Sequence, residues 1–216
     1  MLKALLVATS LLALSSPAFA DQTLDDHVTA LAHAWDHANF EIQPAGAKLA
    51  ELQRLEGVAT ALARQYPNQA EPIVWQAIVI SSEAGVQGGL GALGKAGQAR
   101  DLLQHAEQIN PNALNDGSIY TSLGSLYYEV PGFPLGFGDR DRARRYLQRA
   151  LQINPNGIEP NYFMADFLMR QHDYVHAADY LRRAIAAPSR PGREIADAAR
   201  RHEATAMLAQ ATARAH

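Results

Sequence analysis

The chain has no cysteine in 216 residues. That excludes disulfide frameworks, thiolate catalysis, Cys-ligated zinc or iron–sulfur sites and a lipidated Cys terminus. Aromatic residues are few, at 7%, and charged residues make up only 19%. The formal net charge of −3 argues against a general nucleic-acid binder. After the N-terminus no window holds ~18 uninterrupted apolar residues, so no transmembrane segment is expected in the mature chain. No stretch of useful length alternates apolar and polar residues as a strand would. What is present is 48% hydrophobic residues, enough for a packed core in one or two domains.

The first 20 residues read as an export signal. Met1-Leu2-Lys3 is a short positive start, and Ala4 to Leu14 is an apolar run too short to cross a bilayer. Ser15-Ser16-Pro17 breaks it, and Ala18-Phe19-Ala20 is a small-x-small cleavage site before Asp21. Residues 1–20 are therefore expected to be a signal peptide and 21–216 a single helical domain. An exported, cysteine-free chain reads as periplasmic.

Charge is divided along that domain. Residues 21–139 carry 5 Lys/Arg against 14 Asp/Glu, a net −9, and residues 140–216 carry 13 Arg against 8 Asp/Glu, a net +5. The basic half is either a solvated surface or a face for an acidic partner or membrane.

A repeat runs through the second half. Ala143, Leu147 and Ala150 recur as Ala177, Leu181 and Ala184, each 34 residues on. Ala99, Leu103, Ala106 and Pro111 recur as Ala143, Leu147, Ala150 and Pro155, each 44 residues on. Asn110-Pro111-Asn112 likewise returns as Asn154-Pro155-Asn156.

These residues resemble the tetratricopeptide repeat (TPR) family, whose pattern is W-x2-L-G-x2-Y, A-x3-F and a later Pro. Tyr120, Leu123, Gly124 and Tyr127 fill the first half, and Ala143, Leu147, Ala150 and Pro155 the second. The match is best over 114–188. The resemblance implies an all-α fold, a TPR-like α-solenoid of about four helix pairs with a C-terminal capping helix. Small residues such as Gly124, Ala143 and Ala165 would let backbones approach, and Leu123, Tyr127, Leu147 and Leu181 would fill the space between units. Helices are expected over 23–38, 45–65, 71–84, 94–109, 116–130, 139–153, 158–171, 173–187 and 193–213. Asp139 and Asp173 are expected N-caps.

Two inserts, 85–94 and 131–138, fall between the helices of their pairs and should share one rim. Their Leu90, Leu93, Phe133 and Phe137 either pack over the solenoid or form a lid on its groove. Gly89 to Gly94 reads G-x-G-x-x-G, but without a βαβ unit it is no dinucleotide site. The family resemblance also implies a concave groove lined by Ser118, Thr121, Ser125 and Tyr128, then Glu159, Tyr162, Asp166 and Met169. These would suit a peptide or a polar ligand. The basic clamp with which some TPR proteins hold chaperone tails is not found at these positions.

His33 with His37, and His172 with His176, have spacings that a metal could use with Asp36 or Asp173. Read as surface histidines they need none, and no metal or cofactor is expected. His202-Glu203 lacks the second His of a zinc-protease helix, and no nucleophile elbow or P-loop occurs. The expectation is a non-enzymatic periplasmic scaffold that binds a protein or peptide, with no nucleic-acid partner. The alternative is a small-ligand accessory protein of a TRAP-type solute transport system. That reading follows from a second resemblance, to the exported TPR components of such transporters, which also mix degenerate repeats with Gly-rich inserts.

Overall fold

The computed structural model describes residues 23–215. The expected signal peptide, 1–20, lies outside the described residues. Helix α1 (Leu24–Asp36) runs into a wide π turn (His37–Glu41). It is followed by α2 (Ala45–Gln65), α3 (Ala70–Gln87), α4 (Gly89–Ile109), α5 (Ser118–Glu129) and α6 (Arg140–Ile153). The chain ends with α7 (Ile158–Arg170), α8 (Tyr174–Ala186) and α9 (Glu194–Arg214). No strand occurs among the described residues. The molecule is an α-solenoid: α3/α4, α5/α6 and α7/α8 are antiparallel pairs, α1/α2 stacks before them, and α9 packs on α8 and α7.

The repeat positions explain the stacking. Ala99, Leu103 and Ala106, then Ala143, Leu147 and Ala150, then Ala177, Leu181 and Ala184 are all fully buried. One apolar stripe at helical spacing leaves no alternative way to bury it than against the neighbouring helix. Gly124 marks a close approach of α5 and α6. A Cβ there would lie 2.6 Å from Leu147 Cγ, so only glycine lets α5 and α6 close. Helix ends follow the caps: Asp139 accepts from the Asp141 and Arg142 amides, Asp173 from that of His176, and Thr23 forms a capping box with Asp26.

The inserts differ from expectation. Residues 85–94 are not a loop: α3 continues to Gln87 and α4 already begins at Gly89. The break is confined to Gly88 and Gly89, with φ of 64° and 65°, a left-handed conformation that suits glycine. Lys95 anchors the start of α4, bridging Glu56 and the buried Glu83 at 2.9 Å each. Residues 131–138 do form a loop, closed by the Gly138 amide donating to Pro131 O at 2.9 Å.

Candidate functional site

A concave cleft of about 320 Å³ runs along the inside of the solenoid. One wall comes from α1 and α3, with Trp35, Trp75, Ile78, Ser81 and Ser82. Trp35 and Trp75 meet edge to face with ring centres 5.8 Å apart, and Trp35 Nε1 donates to Ser82 Oγ at 2.9 Å. The Trp35 indole is thus held in place with its polar edge satisfied, and Trp75 lines the cleft beside it.

The facing wall is α5. Ser118, Thr121, Ser122 and Ser125 recur at i, i+3, i+4 and i+7 and turn hydroxyls along one helix face. Glu129 follows on the same element, and Asp116 stands before it. Asp116 accepts from the Ser118 amide at 2.8 Å. Burial pushes its carboxyl above the ordinary range, against the opposing pull of Ser118, Arg190 and Arg193.

The third side is built by α7 and the segment leading into α9. Glu159, Phe163, Arg190, Arg193 and Arg200 line it. Arg193 makes a bidentate pair with Asp36, at 2.7 and 2.8 Å, joining residues 157 apart in sequence. Its guanidinium also lies over the Trp75 ring, 5.2 Å from the centre. This contact brings the last helix of the solenoid onto the first and turns an open groove into a closed-ended cleft. Arg190 binds Asp197 at 2.7 Å, and Arg200 binds Glu203 at 2.6 Å. Burial works against the charge of Arg200, but Glu159, Glu203 and Tyr162 outweigh it and raise its pKa. All three arginines are therefore already neutralised by carboxylates.

Three buried polar atoms at this site have no hydrogen-bond partner among the described residues: Thr121 Oγ1, Glu159 Oε2 and Arg200 Nε. The last two lie 3.0 Å apart as an ion pair, but not in hydrogen-bonding alignment. Thr121 Oγ1 is the one of the three with neither a hydrogen bond nor an ion pair, and an unpaired buried hydroxyl at a cleft marks a place where a further partner would be accommodated.

Of the expected groove residues, Ser118, Thr121, Ser125 and Glu159 line the cleft. Tyr128, Tyr162, Asp166 and Met169 do not. Tyr128 donates to Asp166 at 2.7 Å and packs on Phe167, closing α5 against α7. Tyr162 lies under the Arg200 guanidinium, 4.3 Å from its ring centre, and Met169 packs between the main core and the α8/α9 core. In the last pair α9 covers the face that an internal repeat would leave open, so on α7 only Glu159 of the expected residues lines the cleft, joined by Phe163.

Leu90, Leu93, Phe133 and Phe137 do not line the cleft either. Leu90 is an exposed residue in the first turn of α4, and Leu93 lies on that helix's outer side with Gln98 and Leu102. Phe137 turns into the fold, edge to face with Tyr127 at 5.4 Å and under the Arg100 guanidinium at 4.4 Å. Phe133 is 94% exposed. Sequence reasoning missed Trp35, Trp75, Arg190, Arg193 and Arg200. The two Trp at helical positions and the R-P-G-R segment were visible, but no local spacing tells that they meet.

Three of the four histidines singled out in the sequence, His37, His172 and His176, take local partners within four residues. His37 Nδ1 is 2.7 Å from Glu41, and His176 Nδ1 is 2.8 Å from Asp173. Among the described residues no group of three or more His, Asp or Glu is placed to hold a metal ion. No helix among them is long and apolar enough to cross a membrane.

Residues 135–200 match the model of the tetratricopeptide repeat family. The fold is similar to that of a thermophilic TPR protein from Thermus thermophilus, with a TM-score of 0.56 and 16% identity over 86% of this chain and 92% of that one. This chain has a TPR-like fold. The Pseudomonas aeruginosa protein pilF is also matched, at 14% identity over 87% of this chain and 90% of its own, with a TM-score of 0.37. No curated protein matches. The family match covers α6, α7, α8 and the start of α9, the stretch that holds the 34-residue step from Ala143, Leu147 and Ala150 to Ala177, Leu181 and Ala184.

Proposed function

We propose that this chain is an exported, periplasmic TPR-like scaffold that receives a short, uncharged polar segment of a protein partner in its concave cleft. The observation that carries this reading is the cleft itself: a hydroxyl stripe on α5 facing Trp35 and Trp75, closed at its end by Arg193 on Asp36. TPR scaffolds serve protein–protein interaction, and the concave face of a solenoid is the surface that an extended segment can follow. A volume of about 320 Å³ admits a few residues of extended chain and no folded domain. Because each arginine already has its carboxylate, a neutral segment gains hydrogen bonds without displacing an ion pair.

A second reading keeps the same cleft and makes the occupant a free small molecule, as in an accessory protein of a TRAP-type transport system. The volume, at the lower end of the range of small-molecule pockets, favours it.

The test is native mass spectrometry of the protein taken from a periplasmic extract. A peptide or protein adduct supports the first reading, and a bound small molecule the second. Ser122→Tyr, which fills the cleft from its hydroxyl wall, should remove either adduct while the melting temperature stays within about 2 °C. An adduct that survives Ser122→Tyr shows that the cleft is not the site. N-terminal sequencing of the same sample should begin at Asp21; a chain retaining Met1 removes the periplasmic assignment.

A further inference from the structure

The loop 131–138 carries its apolar side chains in two opposite ways. Phe137 is wedged between Tyr127 and Arg100, and the loop is tied by backbone bonds from Leu135 and Gly136 to Gly132 O, Gly138 to Pro131 O, and Asp139 to Tyr127 O. On this fixed base Phe133 is 94% and Leu135 66% exposed, with Pro134 exposed between them. Among the described residues, Phe133 is the one aromatic in the set of large apolar side chains that face solvent. A loop held this way cannot fold its tip back onto the core, so the apolar tip projects into water, where it contributes nothing to the fold.

A second observation adjoins it. Helix α6 opens directly after the loop with Arg140, Arg142, Arg144 and Arg145, all exposed. The four fall within about 8 Å of helix axis. Cations at a helix N-terminus are disfavoured by the helix dipole. Arg142 pairs with Asp139 at 3.4 Å and donates to Tyr127 Oη at 3.2 Å, and Arg144 lies over the Phe167 ring, 5.1 Å from its centre; Arg140 and Arg145 make no salt bridge or side-chain hydrogen bond among the described residues. Contacts within the fold therefore account neither for the projecting Phe133 and Leu135 nor for Arg140 and Arg145.

We infer that this end of the molecule is an interfacial membrane anchor: Phe133 and Leu135 dip into the headgroup boundary of an anionic bilayer while Arg140 and Arg145 hold its lipid phosphates. Apolar tips of this kind insert about 5–10 Å, and each nearby arginine adds attraction to an anionic surface. Two such signals together make peripheral binding stable where either alone is marginal. The anchor is separate from the cleft and stands whether or not the cleft reading does.

The test is co-sedimentation of the mature chain with vesicles of phosphatidylglycerol and phosphatidylcholine, against vesicles of phosphatidylcholine alone. Binding is expected to the anionic vesicles only and to fall as salt is raised. Phe133→Ser should weaken it about tenfold, since loss of one inserted aromatic is worth about one decade in affinity. Arg140→Gln with Arg145→Gln should weaken it by a similar factor. All variants should melt as the parent does, because the replaced side chains are exposed. Equal binding to both vesicle types, or anionic binding that neither substitution changes, overturns the inference. So does a dimer that depends on Phe133 in a chain that ignores both vesicle types, since the tip would then serve a second copy of the protein.

Discussion

Two glycine-rich segments join the helices of successive pairs, and they become different objects. Residues 85–94 hold five glycines and no proline, and they are helical except for a break at Gly88 and Gly89. Residues 131–138 hold three glycines and two prolines, and they form a hydrogen-bonded loop. The segment richer in glycine is the one that folds as helix. Glycine costs a helix about 1 kcal/mol per residue, which packing can offset, whereas proline removes a donor and clashes with the preceding turn at about 3 kcal/mol. The packing of α3 on α4 and the Lys95 bridges supply that offset in the first segment. Nothing can supply the missing donors of Pro131 and Pro134 in the second.

Helices α5 and α6 are clamped together at Gly124 and Leu147, independently of the loop between them. Gly124→Leu breaks that clamp and has the largest expected effect. The first atom of the new side chain already lies 2.6 Å from Leu147 Cγ, with no void to take the rest. A loss of about 3 kcal/mol or more is expected, seen as a melting temperature about 6–12 °C lower. An unchanged melt would mean that α5 and α6 do not meet at Gly124.

Gly138→Ala and Gly94→Ala then make the same change in each segment and should differ in sign. At Gly138 a Cβ would strike Val130 O and sit 2.9 Å from the Pro131 carbonyl carbon, so the loop must shift. A loss of about 2 kcal/mol is expected, close to the cost of Phe137→Ser, which strips a half-buried ring from Tyr127 and Arg100. At Gly94 nothing lies within 4 Å of the new Cβ, and the residue is inside α4. Alanine there should stabilise by about 0.5–1 kcal/mol. Chemical denaturation of both variants decides the matter. A destabilising Gly94→Ala would show that 85–94 is a loop in solution.

The same contrast explains what the sequence discloses. The stripes Ala99–Leu103–Ala106, Ala143–Leu147–Ala150 and Ala177–Leu181–Ala184 were legible because burial in a repeat is periodic, and each of these residues is fully buried. Helix ends were legible where a cap or a proline fixes them, as at Asp139 and Asp173. The first insert is not legible, because glycine without proline leaves a helix possible, and residues 85–94 fold as helix on both sides of the break at Gly88 and Gly89. The cleft was half legible. Ser118, Thr121, Ser125 and Glu159 follow from the face of a repeat helix, but its closure rests on Arg193 reaching Asp36 across 157 residues. That is a property of how far the solenoid curls, which no local pattern records. The arginine excess in the second half was visible, yet its members went to different tasks: Arg190, Arg193 and Arg200 inward to carboxylates, Arg140 and Arg145 outward to solvent.

The smallest expected effect lies within the second segment. Phe133 and Phe137 are four residues apart on one loop, and the sequence already ranks them: Phe137, next to the cap Asp139, is expected to be mainly structural, and Phe133, nearer the loop tip, to be free for binding. Phe137 has Tyr127 at 5.4 Å and Arg100 at 4.4 Å, whereas Phe133 is 94% exposed. Truncation costs stability only in proportion to what the native state buries, so Phe133→Ser should change stability by no more than about 0.5 kcal/mol. Its sign can even be favourable, since an exposed ring is replaced by a hydroxyl. Paired denaturation curves of Phe133→Ser and Phe137→Ser measure the difference directly, and about 1.5 kcal/mol should separate them. If Phe133→Ser is as costly as Phe137→Ser, both rings pack in the fold, and 131–138 is a packing device with no free tip to offer a membrane.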